Sequence, residues 1–167
     1  MDGDPNRVLI QPRYLDPSAE TEKVFVLYSK PSSAYEVAIS KILEIFQDKR
    51  INAQFTVVNF EHDQARGEAA LALAEELDSD LIFAMGSDST AWLWEHYHGG
   101  QIPVVSVCSK DPVVLGQVDS YDSGSGTNFA FTSLNMPVEV QMAYVLDLIA
   151  NLQNFGVLVD AGNVSAV

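Results

Sequence analysis

One cysteine, Cys108, is all this 167-residue chain contains, which excludes an internal disulfide. Basic residues are scarce: 9 Lys and Arg face 23 Asp and Glu, a formal charge of −14. Such a field repels phosphate backbones and anionic bilayers, so nucleic acid and membrane surfaces are poor partners. No apolar run approaches the roughly 18 residues of a membrane span. Met1 to Glu22 lacks the basic-then-apolar order of a secretory leader and carries Pro5, Pro12 and Pro17. It reads as an N-terminal arm or linker. Gly124-Ser125-Gly126 lacks the lysine of a phosphate-binding loop, and no G-x-G-x-x-G follows the first strand. The third strand ends in Met85-Gly86, where a phosphorelay receiver would need an aspartate. No nucleophile–base pair, triad or metal-ligand cluster appears. His96 and His98 are two apart on a helix, which points their rings away from each other, and His62-Asp63 reads as a helix-start loop. These absences predict recognition rather than bond-breaking: no enzyme, no catalytic residues, no metal and no cofactor.

What is present is a core. Apolar residues make up 47% of the chain, enough for one globular domain. Lys23–Ser29, Gln54–Phe60, Asp80–Met85, Pro103–Val107 and Asn128–Thr132 are short β-rich runs. Helical patterns separate the first four. One opens at Ser33, with Ser33 and Glu36 as a capping box and Val37, Ile39, Ile42, Leu43 and Phe46 as its apolar stripe. Asp63 caps the next, which runs to about Leu77, and Ser87–Tyr97 is the third. Trp92 and Trp94 lie two apart on it, which predicts one in the core and one at the surface. Pro137 starts a fourth helix, to about Asn151, and Phe155–Asp160 reads as a sixth strand. Cys108 continues an apolar strand and reads as a buried, inert thiol. The alternation predicts an α/β fold: a parallel five- to six-stranded sheet with helices on both faces, Rossmann-like.

Loops at the carboxyl ends of such strands are where open α/β sheets bind ligands. Gly86, Ser87, Ser89 and Thr90 follow the third strand and open directly into a helix, whose free N–H groups and hydroxyls suit an anion. An N-cap with a polar first turn is the plainer alternative, and Asp88 in the middle would repel an anion. After the first strand, Ser32 and Ser33 are candidate ligand contacts, Tyr35 a candidate wall and Lys30 a balancing charge; capping explains the serines equally well. After the fourth, Lys110 and Asp111 are candidates, Asp111 for a ligand ammonium, although Asp-Pro also starts turns.

Taken in order, G-S-D-S-T-A, I-P-V-V, D-P-V-V-L-G, G-T-N-F-A-F-T-S, P-V-E-V-Q-M and F-G-V-L-V-D-A-G-N-V-S resemble the substrate-binding proteins of ABC-type transport systems. The likeness is to the tryptophan- and tyrosine-type group, with the type I periplasmic-binding-protein fold, and runs from Lys23 onward. It implies an N-terminal lobe over 23–134, after the arm 1–22, and a crossover helix and strand over 135–167 that begin a truncated second lobe. It implies a small-molecule ligand such as an amino acid, an ABC permease as partner of the full-length protein, and a periplasmic or extracellular location. A swapped homodimer is a further expectation. The alternative from another class is a stand-alone sensory or protein-interaction domain.

Overall fold

The computed structural model describes residues 5–12, 16, 18–133, 136, 138–149 and 151–156. The elements are β1 (Arg7–Ile10), β2 (Glu22–Tyr28), α1 (Ser33–Asp48), β3 (Ala53–Asn59), α2 (Gln64–Glu76), β4 (Leu81–Met85), α3 (Gly86–Tyr97), β5 (Val104–Ser109), β6 (Phe129–Ser133) and α4 (Val138–Leu148). One six-stranded sheet has the order β1-β3-β2-β4-β5-β6. Strands β2 to β6 pair in parallel, as the β-α-β alternation predicts. Within the N-terminal arm, Arg7–Ile10 adds an antiparallel edge strand on β3 that the sequence did not announce.

The order fixes where a ligand can sit. From β2 the chain runs through α1 to β3 on one side. From β3 it returns through α2 to β4 on the other side of β2. The direction of winding reverses between β2 and β4, and the crevice outside their carboxyl ends is the switch point of the fold.

Helices cover both faces. Val24, Val26, Phe55, Val57, Phe83 and Met85 form one layer, against Ala38, Ile39, Ile42, Leu43 and Phe46 of α1. Val37, placed on the α1 stripe by its spacing, points to solvent instead. Phe25, Leu27, Ile82, Ala84 and Val104 form the other layer, with Ala70 and Ala74 of α2 and Leu93 and Tyr97 of α3. Val24 to Leu27 are all buried, because a central parallel strand has helices on both sides.

Asp63 caps α2 by accepting from Arg66 N at 2.8 Å. A Cβ on Gly67 would lie 2.6 Å from the Trp92 ring, so only glycine lets α2 approach this indole. Trp92 and Trp94 are both half-buried and both pack against the α3-side layer, so the expected split between core and surface does not occur. The His96 ring stacks on Trp92 with centroids 4.4 Å apart, while His98 packs on Trp94, which sends the two imidazoles to different indoles. No residue of α4 is buried, and Val138, Tyr144 and Leu148 are exposed on it. The boundary expected at 134–135 and, from residue 157 on, the expected sixth strand lie outside the described residues.

Leu93 is fully buried between α3 and the sheet. Leu93→Ala is expected to cost about 2–5 kcal/mol, a lost transfer term plus a cavity, whereas loss of the exposed cap in Asp63→Ala is expected to cost about 0.5–2 kcal/mol. Urea unfolding midpoints of the two variants check that order.

Candidate functional site

Register brings the carboxyl ends together. Tyr28 pairs with Met85, and Met85 with Val107. One residue further along, Ser29, Gly86 and Cys108 therefore form a row across the switch point. α3 begins at once after β4: Met85 is its N-cap residue, with no side-chain cap, and Gly86 carries φ +84. That backbone favours glycine, and the space demands it as well: a Cβ there would lie 2.0 Å from the Tyr35 hydroxyl. The α1 phenol thus lies directly on the start of α3. Burial pushes its pKa up.

α1 starts from Ser32 in extended conformation, and no side chain caps it. The capping box expected from Ser33 and Glu36 does not form. The Glu36 amide makes the regular first helical bond to the Ser32 carbonyl at 3.1 Å, and the half-buried Ser32 hydroxyl makes no cap bond. Ser33 is exposed.

In the first turn of α3, Ser87 and Asp88 are half-buried, and Ser89 and Thr90 fully buried. Asp88 does not face an anion site unopposed. Its Oδ2 is 2.9 Å from Lys30 Nζ, beyond β2, and 3.8 Å from His62 Nε2, beyond β3. The hydrogen bond to Asp88, with its charge, raises the Lys30 pKa. Because the Lys30 side chain is 51% exposed, such a pair contributes only about 0.2–1 kcal/mol to stability.

A bulge shapes the end of β5. Ser106 pairs with Phe131 but Ser109 pairs with Ser133, so three steps on β5 match two on β6. Cys108 lies in the extra turn with φ +55 and is half-buried, not sealed in the core as the apolar pattern suggested. Phe131 and Ser133 share a face, and so, through the bulge, do Ser106 and Ser109. It is the face covered by α3, because Phe131 packs into that layer. Ser29, two residues past Leu27, continues the same face. Ser29, Ser89, Thr90, Ser106 and Ser109 thus form a buried hydroxyl layer under the start of α3. Thr90 Oγ1 donates to Ser106 Oγ at 3.1 Å. The Oγ atoms of Ser29, Ser89 and Ser109, and Oε1 of Gln117 in the loop after β5, have no partner among the described residues. Buried polar atoms almost always have one, so each of these calls for water or a ligand.

Asp111 is buried, and its carboxylate is already engaged. It accepts from the amides of Val113 and Val114, at 2.9 and 3.3 Å, and from the Tyr121 hydroxyl. The Tyr121 bond, ahead of these amides, lowers the Asp111 pKa, and the same bond raises that of Tyr121. This is the turn-starting role of Asp-Pro. Lys110 lies beside it, half-buried.

All nine residues singled out from the sequence therefore stand at one edge, but Thr90 and Asp111 are tied to protein partners. Ser29, His62, Ser109, Gln117 and the Lys30–Asp88 contact join them. Hollows of about 540 and 390 Å³ lie at the opposite edge, lined among others by Glu75, Asp78, Ser79 and Asp80. There Asp80 already accepts from Lys23 N, and Lys23 Nζ donates to the Leu77 carbonyl. Of the five buried polar side-chain atoms without a partner among the described residues, four lie at the carboxyl edge and one, Asn52 Oδ1, just before β3 at the opposite edge. No three His, Cys, Asp or Glu side chains come together as a metal site among the described residues. No described helix is long and apolar enough to cross a membrane.

No protein-family model matches the sequence, and no curated protein matches it. Solved structures do. A conserved domain protein from Vibrio cholerae O1 biovar El Tor matches with a TM-score of 0.69 at 20% identity, over 86% of this chain and 49% of that one. The ligand-free, open structure of CD0873, a substrate-binding protein with adhesive properties from Clostridium difficile, matches with a TM-score of 0.65 at 20% identity. That match covers 77% of this chain and 44% of the other, so the chain spans about half the length of either structure or less. At such identity the likeness is one of fold. The chain shares with these structures a Rossmann-like α/β architecture, a mostly parallel six-stranded sheet with helices on both faces.

Two tests address the geometry. Gly86→Ala is expected to cost about 1–3 kcal/mol through backbone strain alone, plus the collision with Tyr35. A denaturation cycle with Tyr35→Ala and the double variant should show a coupling of about 0.5–3 kcal/mol. For Asp111, a carboxyl pKa below its ordinary value near pH 4 stabilises the fold above that value, and the contribution is lost as pH falls through the lowered folded pKa. Between pH 5 and pH 2 the urea midpoint of the native chain should therefore fall more steeply than that of Asp111→Asn.

Proposed function

We propose that this chain is the N-terminal lobe of a solute-binding protein that serves an ABC-type uptake system, of the tryptophan- and tyrosine-type group. It captures a small ligand, an amino acid, without covalent chemistry. One observation carries the reading: at the switch point of the fold, hydroxyls from the ends of β2 and β5 and the first turn of α3 are buried without partners among the described residues. The group order along the sequence and the shared fold support it. In this reading Tyr35 walls the ligand and the α3 N-terminus offers free N–H groups to it. A second lobe closes over the crevice, and the closed form docks on a permease outside the cytoplasm. Serines and a helix N-terminus at a crevice suit non-covalent orientation of a polar ligand, with apolar walls for its side chain.

The sensory or interaction reading draws on a different observation, the apolar exposure of α4 at Val138, Tyr144 and Leu148. Calorimetric titration of the full-length protein with the twenty amino acids separates the two. The transport reading expects L-tryptophan or L-tyrosine to bind with a Kd around micromolar, about −8 kcal/mol. Absence of heat with every amino acid would defeat it and leave the interaction reading.

A further inference from the structure

The switch-point crevice of this lobe is bridged by an internal ion pair. Lys30 follows β2 and Asp88 lies in the first turn after β4, so the 2.9 Å contact between them spans the two strand ends between which the winding reverses. The pair is lopsided. Lys30 is half in solvent, whereas Asp88 is 17% exposed and also has the His62 imidazole Nε2 near it, at 3.8 Å. Unpartnered Ser29 Oγ stands next to Lys30 in the chain, and unpartnered Ser89 Oγ next to Asp88, both fully buried. Each charge of this weak, openable salt bridge thus has as its chain neighbour a buried serine whose hydroxyl has no partner among the described residues.

A ligand that enters here meets both charges. A lone carboxylate could take Lys30 but would strand Asp88, at a half-buried helix start where an unmatched charge is costly. A lone amine could take Asp88 but would leave the Lys30 ammonium without its partner. An α-amino acid carries ammonium and carboxylate on one carbon, so it presents opposite charges as close neighbours, as Lys30 and Asp88 present theirs. Resting on the amino-acid reading above, we propose that the Lys30–Asp88 salt bridge is a latch across the crevice that a zwitterion replaces. The ligand carboxylate pairs with Lys30, and its ammonium with Asp88. Asp88 is then a specificity residue that rejects plain anions, and the ammonium partner is Asp88 rather than the turn-bound Asp111.

The test titrates the full-length protein with L-tryptophan, with tryptamine, which lacks the carboxylate, and with indole-3-propionate, which lacks the ammonium. If the first titration series selects another amino acid, its own amine and acid are used. Each analogue should bind at least about tenfold more weakly than the zwitterion, the usual cost of losing a charged hydrogen bond. In Asp88→Asn the penalty for removing the ammonium should vanish, so that indole-3-propionate approaches tryptophan. In Lys30→Met the penalty for removing the carboxylate should vanish. A merely structural role would weaken all three ligands by the same factor, and that result overturns the proposal. So does equal binding of the three by the native protein, with the amino-acid reading left standing. Binding of no amino acid at all removes that reading and the latch together.

Discussion

The ladder that joins β2, β4 and β5 is the constraint on which the carboxyl edge depends. Its register sets Tyr28 beside Met85 and Met85 beside Val107, and everything beyond those residues inherits the alignment. Gly86 must turn immediately, because α3 has to fold back over the sheet. Its left-handed backbone brings the helix start under Tyr35. A slip of one residue would exchange the two faces of a strand buried on both sides. Ser29 would then leave the α3 side, and Leu27 would meet α1. Apolar packing on either face holds this register, so the placement of a few polar groups is enforced by residues that never touch them.

Much of the fold was legible because its signals are local. The runs that became β2, β3 and β4 are β-rich and alternate with helical patterns, and the observed bounds differ by a residue or so. β1 was not legible. Arg7–Ile10 is a four-residue piece in a proline-bearing arm, and only a long-range antiparallel pairing with β3 makes it a strand. The α1 cap failed for a comparable reason: the S-x-x-E spacing fits Ser33 and Glu36, but the chain enters the helix one residue earlier, at Ser32. Cys108 misled through the assumption of regular alternation, which a bulge breaks.

The site was readable as a place more than as a set of roles. Parallel strands end in loops, and the loops are rich in hydroxyls, so the edge followed from the pattern. Which hydroxyls would be left without partners did not follow. Thr90 looked equivalent to Ser89 until the tertiary fold gave Thr90 a bond to Ser106. Asp88 looked like an obstacle to binding, because its charge was visible and its partner, 58 residues away in sequence at Lys30, was not. Ser29 and Ser109 carried a usable signal, since each is a hydroxyl at the last turn of an apolar run. Gln117 and His62 carried none.

The single thiol has a practical meaning. Cys108 sits in the row of Ser29 and Gly86, beside the crevice, and desolvation holds its pKa above the ordinary thiol value. It therefore stays protonated at neutral pH and alkylates slowly, yet any thiol-directed dye or spin label that does attach lands at one defined address. Within these 167 residues Cys108 is a single attachment point beside the place where the winding reverses, so motion of anything that settles over this edge can be followed by fluorescence or electron resonance from a native side chain.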